Sequence, residues 1–235
     1  MKSYTYTDGK VIHSLDLKVS QNSKIGIGLV LQTYHFSLEQ VQQNDFTLDA
    51  SNCLDCPFSY NQNNGKSGGC YTHKGLQLMG LKSKLRSLNK KLSNGKLKQF
   101  DAKEFKKFID FAKNKVSPKL IRFGAYGEAV TLEAPIRDAL FRLASDVRAK
   151  VTGYTHQWHK VSETRFMASA HTLAEMVEAR ARGYRSFIVS DDEISEGFNC
   201  PASAESGKKK TCLECGLCSG TFGGKKKKDI YILQH

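Results

Sequence analysis

KLIRFGAYGEAVTLEAPIRDALFRLASDVRAKVTGYTHQW, residues 119–158, places a strand, a helix and a second strand in direct succession. Leu120–Tyr126 is a short apolar and aromatic run that stops at a glycine. Pro135 suits the first turn of a helix. Ile136, Ala139, Leu140, Leu143, Ala144 and Val147 follow at three- and four-residue steps along one stripe. Val151–Trp158 then reads as a strand and its exit loop.

The alternation extends in both directions. Downstream lie a strand over 165–170 (RFMASA), a helix capped by Thr172 with Glu175 three residues on, and strands at 185–190 (RSFIVS) and 229–233 (DIYIL). That helix carries Leu173, Met176, Val177 and Ala181, and Gly183 closes it. Upstream, residues 1–50 read as strand and loop, with the best strand at 25–34 (IGIGLVLQTY). Leu78, Leu81, Leu85, Leu88 and Leu92 mark a helix that Ser93-Asn94-Gly95 ends. Asp101 and Glu104 open another, with Phe105, Phe108, Ile109 and Ala112 on its core face. Strands alternating with helices specify βαβ units and a parallel sheet. Such units share one hand and curl into full or partial barrels, with functional groups gathered where strands pass into loops. One α/β domain over 1–235 is expected.

Composition narrows the setting. The chain is 40% hydrophobic with 13 Phe and 9 Tyr, which excludes wholesale disorder. No apolar run has membrane-spanning length, and MKSYTYTDGK lacks the apolar core of a signal peptide. A cytoplasmic location without membrane association is expected. The formal net charge of +13 makes nucleic acid or another polyanion an expected partner class. Much of the excess sits in Lys208–Lys210 and Lys225–Lys228, which flank a cysteine-rich loop and would also offset thiolate charge.

The seven cysteines form two groups in Gly-, Asn-, Ser- and Lys-rich loops, 52–73 and 199–220. In reducing surroundings such groups read as metal-binding rather than disulfide-forming. Cys212-x2-Cys215-x2-Cys218 sets three thiolates on one tight turn, and Cys200 supplies a fourth. That pattern favours a 4Fe–4S cluster over a tetrahedral zinc, with zinc as the alternative metal. In the first loop, Cys53-x2-Cys56-x13-Cys70 has two readings. With His73 it makes a Cys3His zinc knuckle. Without His73, three thiolates hold a 4Fe–4S cluster with one iron open to a small molecule.

The order of these features resembles the radical S-adenosylmethionine superfamily. A cysteine triplet follows an early strand, and the next strand ends in Gly124-Ala125-Tyr126-Gly127-Glu128. A cysteine-rich loop lies near the C-terminus. The resemblance implies a partial (β/α)6 TIM-like barrel. It also implies a cluster on Cys53, Cys56 and Cys70, and an auxiliary cluster on Cys200, Cys212, Cys215 and Cys218. Gly127 and Glu128 would correspond to the Gly-Glu pair that contacts the methionine amino group of S-adenosylmethionine. The family spaces its triplet C-x3-C-x2-C, whereas this chain has C-x2-C-x13-C. The blocks FGAYGE, TGYTHQW, NCPAS and CLECGLC are similar to uncharacterised phage- and plasmid-encoded proteins with such a barrel, which implies a host-cytoplasm location.

Other polar residues cluster at strand exits. Tyr154, His156, Gln157, Trp158 and His159 can line a pocket or stack a base, so His156 and Trp158 join Gly127 and Glu128 as candidate cofactor-binding residues. Core packing is the competing reading for Trp158. Asp191, Asp192, Glu193 and Glu196 read as solvated acids, and no catalytic residue is assigned. The expectation is an iron–sulfur protein, with no substrate assigned, acting as a redox or radical enzyme with an electron donor. The alternative is a zinc- or cluster-stabilised basic nucleic-acid-binding protein without catalysis.

Overall fold

The computed structural model describes residues 2–224 and 228–233. It begins with an antiparallel meander of β1 (Lys2–Thr7), β2 (Val11–Ser20) and β3 (Gly28–Ser37). Ser37 caps α1 (Leu38–Gln43) through a capping box with Gln40. The first cysteine loop follows, opening with the single turn α2 (Ala50–Cys53). Then come α3 (Gly75–Ser93) and α4 (Ala102–Phe111), whose N-cap Asp101 accepts from the Lys103 and Glu104 N–H groups. The strand–helix alternation proper is β4 (Leu120–Tyr126), α5 (Ala134–Asp146), β5 (Lys150–Thr152), β6 (Tyr154–Thr155), β7 (Met167–Ala170), α6 (Leu173–Ala181) and β8 (Ser186–Ser190). Last are β9 (Phe198–Asn199), α7 (Cys212–Cys215) and β10 (Ile230–Leu233).

The architecture is mixed α/β with two sheets. Their strand orders are β1-β2-β3-β4-β5 and β6-β7-β8-β10-β9. From β3 onward every pairing is parallel. Gly153 alone separates β5 from β6 and so links the sheets. A Cβ there would lie 2.6 Å from the Phe166 ring and 3.1 Å from Phe123, so only glycine fits the crossing.

Two apolar clusters fix the helices to the first sheet. Leu31, Ile121 and Phe123 pack against Phe105 and Phe108 of α4 and against Leu140 and Phe141 of α5. Phe123 and Phe141 stack at 4.7 Å. Leu81, Leu85 and Leu88 of α3 cover Ile12, Phe36, Ala125 and Tyr126. Each such side chain stabilises the fold by about 1.5–3 kcal/mol through removal from water.

Several expectations shift. The first parallel strand starts at Gly28 rather than Ile25, because Gly26 (φ +100) turns the chain and donates to the Asn22 carbonyl. Residues 11–20, read as strand and loop, form a long central strand that buries His13 and Ser14. On α6 only Met176 and Ala179 face the core, while Leu173 and Val177 are exposed. No helix among the described residues is long and apolar enough to cross a membrane. Lys208–Lys210 are exposed, and Lys225, Lys226 and Lys227 of the second lysine run lie outside the described residues.

Candidate metal centres

The first cysteine loop is held by two polar residues, Asn52 and Asp49, which bind backbone groups and also reach the Cys53 thiol. The Asn52 amide donates to the His35 carbonyl at 3.0 Å and accepts from Ser37 N–H at 3.1 Å, which binds α2 to the C-terminal end of β3. The Asn52 carbonyl in turn accepts the Glu128 N–H at 2.7 Å, so the turn after β4 rests on the residue preceding Cys53. Gly127, at φ +76, makes this approach feasible: a Cβ would sit 2.7 Å from the His35 oxygen and 3.1 Å from the Asn52 oxygen. Buried Asp49 accepts the Tyr60 and Asn61 N–H groups, each at 2.8 Å, and folds the rest of the loop back over α2. Leu54, between Cys53 and Cys56, adopts φ 52 and ψ −127, a region that costs an L-residue about 1–3 kcal/mol.

Cys53 and Cys56 are buried and Cys70 is partly buried. Burial, with Asp49, Cys56, Glu128 and Cys70 as neighbours, pushes the Cys53 thiol well up. Burial likewise raises Cys70, against a hydrogen bond with Thr72. Cys53 and Cys70 are thus held as thiols unless a cationic partner offsets the charge of their thiolates.

Cys56 also meets two side chains from neighbouring strand ends. Ligand atoms of Cys56, Glu128 and His156 lie within 4.8 Å of one another. His156 Nδ1 is 2.8 Å from Glu128 Oε1, and the ring hydrogen-bonds the Cys56 thiol. Burial alone would lower His156, but Cys56 and Glu128 outweigh it and bring the imidazole to about 10. Glu128 accepts further from Thr155 Oγ1 at 2.7 Å and from His156 N–H. His171 stacks on His156 at 5.3 Å, and Phe58 of the loop meets both rings edge-on.

His73 lies against Tyr60 and Ser67 within the loop. Its ring stacks on Tyr60 at 4.3 Å with Nδ1 3.3 Å from Ser67 Oγ, and Nε2 is buried without a hydrogen-bond partner. Trp158 packs with Ala168, Ala179 and Tyr184 beneath α6, and its Nε1–H donates to the Ser169 carbonyl at 3.2 Å. These contacts accord with the core-packing reading of the indole.

The second loop lies at the opposite end of the strands. Cys212 and Leu213 N–H donate to the Lys24 and Ile25 carbonyls just before β3. Leu213 packs with Val30 and Leu120, and the Lys150 ammonium at the start of β5 reaches the Glu214 carbonyl. This loop follows the two-residue β9, which pairs in parallel with the start of β10, and then folds back to the beginning of β3. Cys200 and Cys218 are buried with Met167 and Ile230. Burial, chiefly, and the crowding of Cys200, Cys212 and Cys215 push the Cys218 thiol up to about 12. Tyr154 hydrogen-bonds Cys218. Arg122 stands between the two loops, donating to Tyr71 at 2.8 Å and lying near enough to Cys212 to favour its thiolate.

Sequence reasoning singled out all seven cysteines, Gly127, Glu128 and His156. It missed Asp49, Asn52 and Thr155, because a lone Asp, Asn or Thr carries no spacing signal. Comparison of the chain with protein-family models, with curated proteins and with solved structures finds no match.

Proposed function

We propose that the chain is an iron–sulfur protein on a partial (β/α)6 barrel of radical-SAM-like type. Its first 4Fe–4S cluster is held by Cys53, Cys56 and Cys70, and an auxiliary cluster by Cys200, Cys212, Cys215 and Cys218. One observation carries the reading: the cysteine loop after β3 and the Gly127-Glu128 turn after β4 meet through the Glu128–Asn52 backbone bond. Strand order supports the barrel, since β3, β4, β5 with β6, β7, β8 and β10 are parallel neighbours in chain order. The thiols do not form a ready-made single-ion site. Zinc–sulfur bonds of about 2.3 Å hold the sulfurs of one ion within about 4 Å. Among the described residues, no set of three or more ligand atoms within 4.8 Å contains more than one sulfur.

A three-cysteine cluster leaves one iron open, the position that takes S-adenosylmethionine for reductive cleavage in the family resembled. The chain's own residues have narrower tasks. Asn52 and Asp49 fix the loop, and His156 hydrogen-bonds the Cys56 sulfur and orients it. The Glu128 carboxylate is committed to Thr155 and His156, so its role is to hold the β4 turn against β6. The auxiliary site at the N-terminal strand ends braces the loop or relays electrons to the first.

A second reading rests on the Cys56, Glu128 and His156 atoms within 4.8 Å. These would hold one zinc with a fourth position open. Anaerobic purification followed by iron, zinc and acid-labile sulfide analysis separates the two. Equilibrium binding of S-adenosylmethionine then separates an enzyme from a scaffold.

A further inference from the structure

We propose that Asp8, His13 and Glu133 form a site for one divalent transition-metal ion, separate from both cysteine loops. Their ligand atoms lie within 4.8 Å of one another, yet they come from three places: the β1–β2 turn, β2, and the residue before α5. Metal–oxygen and metal–nitrogen bonds of about 2.0–2.2 Å keep the ligands of one ion within about 4.4 Å. A contraction of a few tenths of an ångström completes the site. One imidazole and two carboxylates suit manganese, iron(II) or zinc, and the two negative charges balance the ion.

Each ligand already has an orienting partner. The Tyr6 hydroxyl donates to Glu133 Oε2 at 2.6 Å. Lys10 and Val11 N–H donate to Asp8 Oδ1, each at 2.7 Å, which leaves Oδ2 facing His13 Nε2 at 3.4 Å. The other nitrogen of the wholly buried His13 ring, Nδ1, is 2.8 Å from His35 Nδ1. His35 Nε2 is 3.0 Å from Thr33 Oγ1, which accepts the Gly124 N–H at 2.9 Å.

That row of atoms has two consistent proton arrangements. In the first, Thr33 donates to His35, His35 donates to His13, and His13 Nε2–H points at Asp8. In the second, His13 Nδ1–H donates to His35 and His35 Nε2–H donates to Thr33. His13 Nε2 then turns a lone pair toward two carboxylates. Without a cation that arrangement is repulsive. With one it is the usual state of a ligating histidine, whose remaining N–H is fixed by an outer partner. The metal therefore selects the second arrangement. The Asp8 side chain is 28% exposed and gives the ion its way in from solvent.

Manganese(II) tests the site, because it prefers oxygen and nitrogen ligands to thiolates. Anaerobically purified full-length protein would be titrated with Mn2+ alone and free ion followed by electron paramagnetic resonance. One ion per chain is expected. Affinity should fall at least tenfold in Asp8→Asn and in Glu133→Gln, and stay unchanged in Asp191→Asn at an exposed position. Both partly exposed positions keep their shape in these variants, and circular dichroism checks that each folds. Absence of saturable Mn2+ binding overturns the proposal, as does equal affinity in the wild type and whichever of the two variants folds.

Discussion

Replacing Gly127 with alanine tests whether the β4 turn organises the first cysteine loop. Gly127 and Gly65 share the same φ of +76, but a Cβ on Gly65 meets nothing within 4 Å. Gly65→Ala therefore incurs only the backbone cost of a left-handed L-residue, about 1 kcal/mol. Gly127→Ala incurs that cost and a steric one. Its Cβ would sit 2.7 Å from the His35 oxygen and 2.9 Å from the His35 Cβ, and neither backbone-tethered neighbour can swing aside. Overpacking of this kind costs about 1–3 kcal/mol, for a total of about 2–4 kcal/mol. Relief comes by moving the turn away from α2, which breaks the Glu128–Asn52 bond and loosens Cys53. Urea midpoints of the two variants, with iron content on anaerobic purification, provide the readout. Gly127→Ala should be the less stable and should lose iron, whereas Gly65→Ala should retain it. Equal midpoints and equal iron would refute the argument.

Other substitutions probe other links. Leu54→Gly should stabilise the protein by up to about 1 kcal/mol by relieving a positive φ, seen as a higher urea midpoint; a lower midpoint contradicts the strain. Glu163 is buried, which alone would raise its carboxyl, but Arg165 and Arg137 outweigh this and hold it below the ordinary range. A lowered folded value means its stabilisation is full above the unfolded carboxyl value of about 4.3 and fades as pH falls through the folded value. Glu163→Gln should thus cost about 1–3 kcal/mol at pH 7, with the gap from wild type narrowing below about pH 4; a pH-independent gap rules this out. Trp158→Phe should cost about 1–2 kcal/mol through its lost bond to Ser169 while leaving iron content intact. Iron loss in that variant would place the indole at the cluster after all.

Legibility in the sequence followed the strength of local signals. Leu120–Tyr126 was readable to the residue because Gly127 ends an apolar run there. The leucine stripe of α3 and the Thr172 cap of α6 were equally plain. β2 was not, since His13, Ser14 and Asp16 interrupt its apolar pattern, and the burial of His13 and Ser14 is made possible by His35 on β3 and Thr5 on β1. Cysteine spacing separated two groups but carried no information about which end of the sheet each occupies. That depends on the two-residue β9 and on Leu213 docking before β3, both products of tertiary packing. Asp8, His13 and Glu133 are similarly brought together by strand pairing and the β4–α5 connection, with no local motif to announce them.

Iron and acid-labile sulfide analysis of the anaerobically purified chain, with its visible absorption before and after dithionite, bears most directly on the central claim. The account predicts a coloured protein with iron and sulfide in equal amounts, bleached on reduction. Substitution of Cys53 and of Cys212 should each remove part of the iron. A colourless protein containing zinc and no sulfide would contradict it.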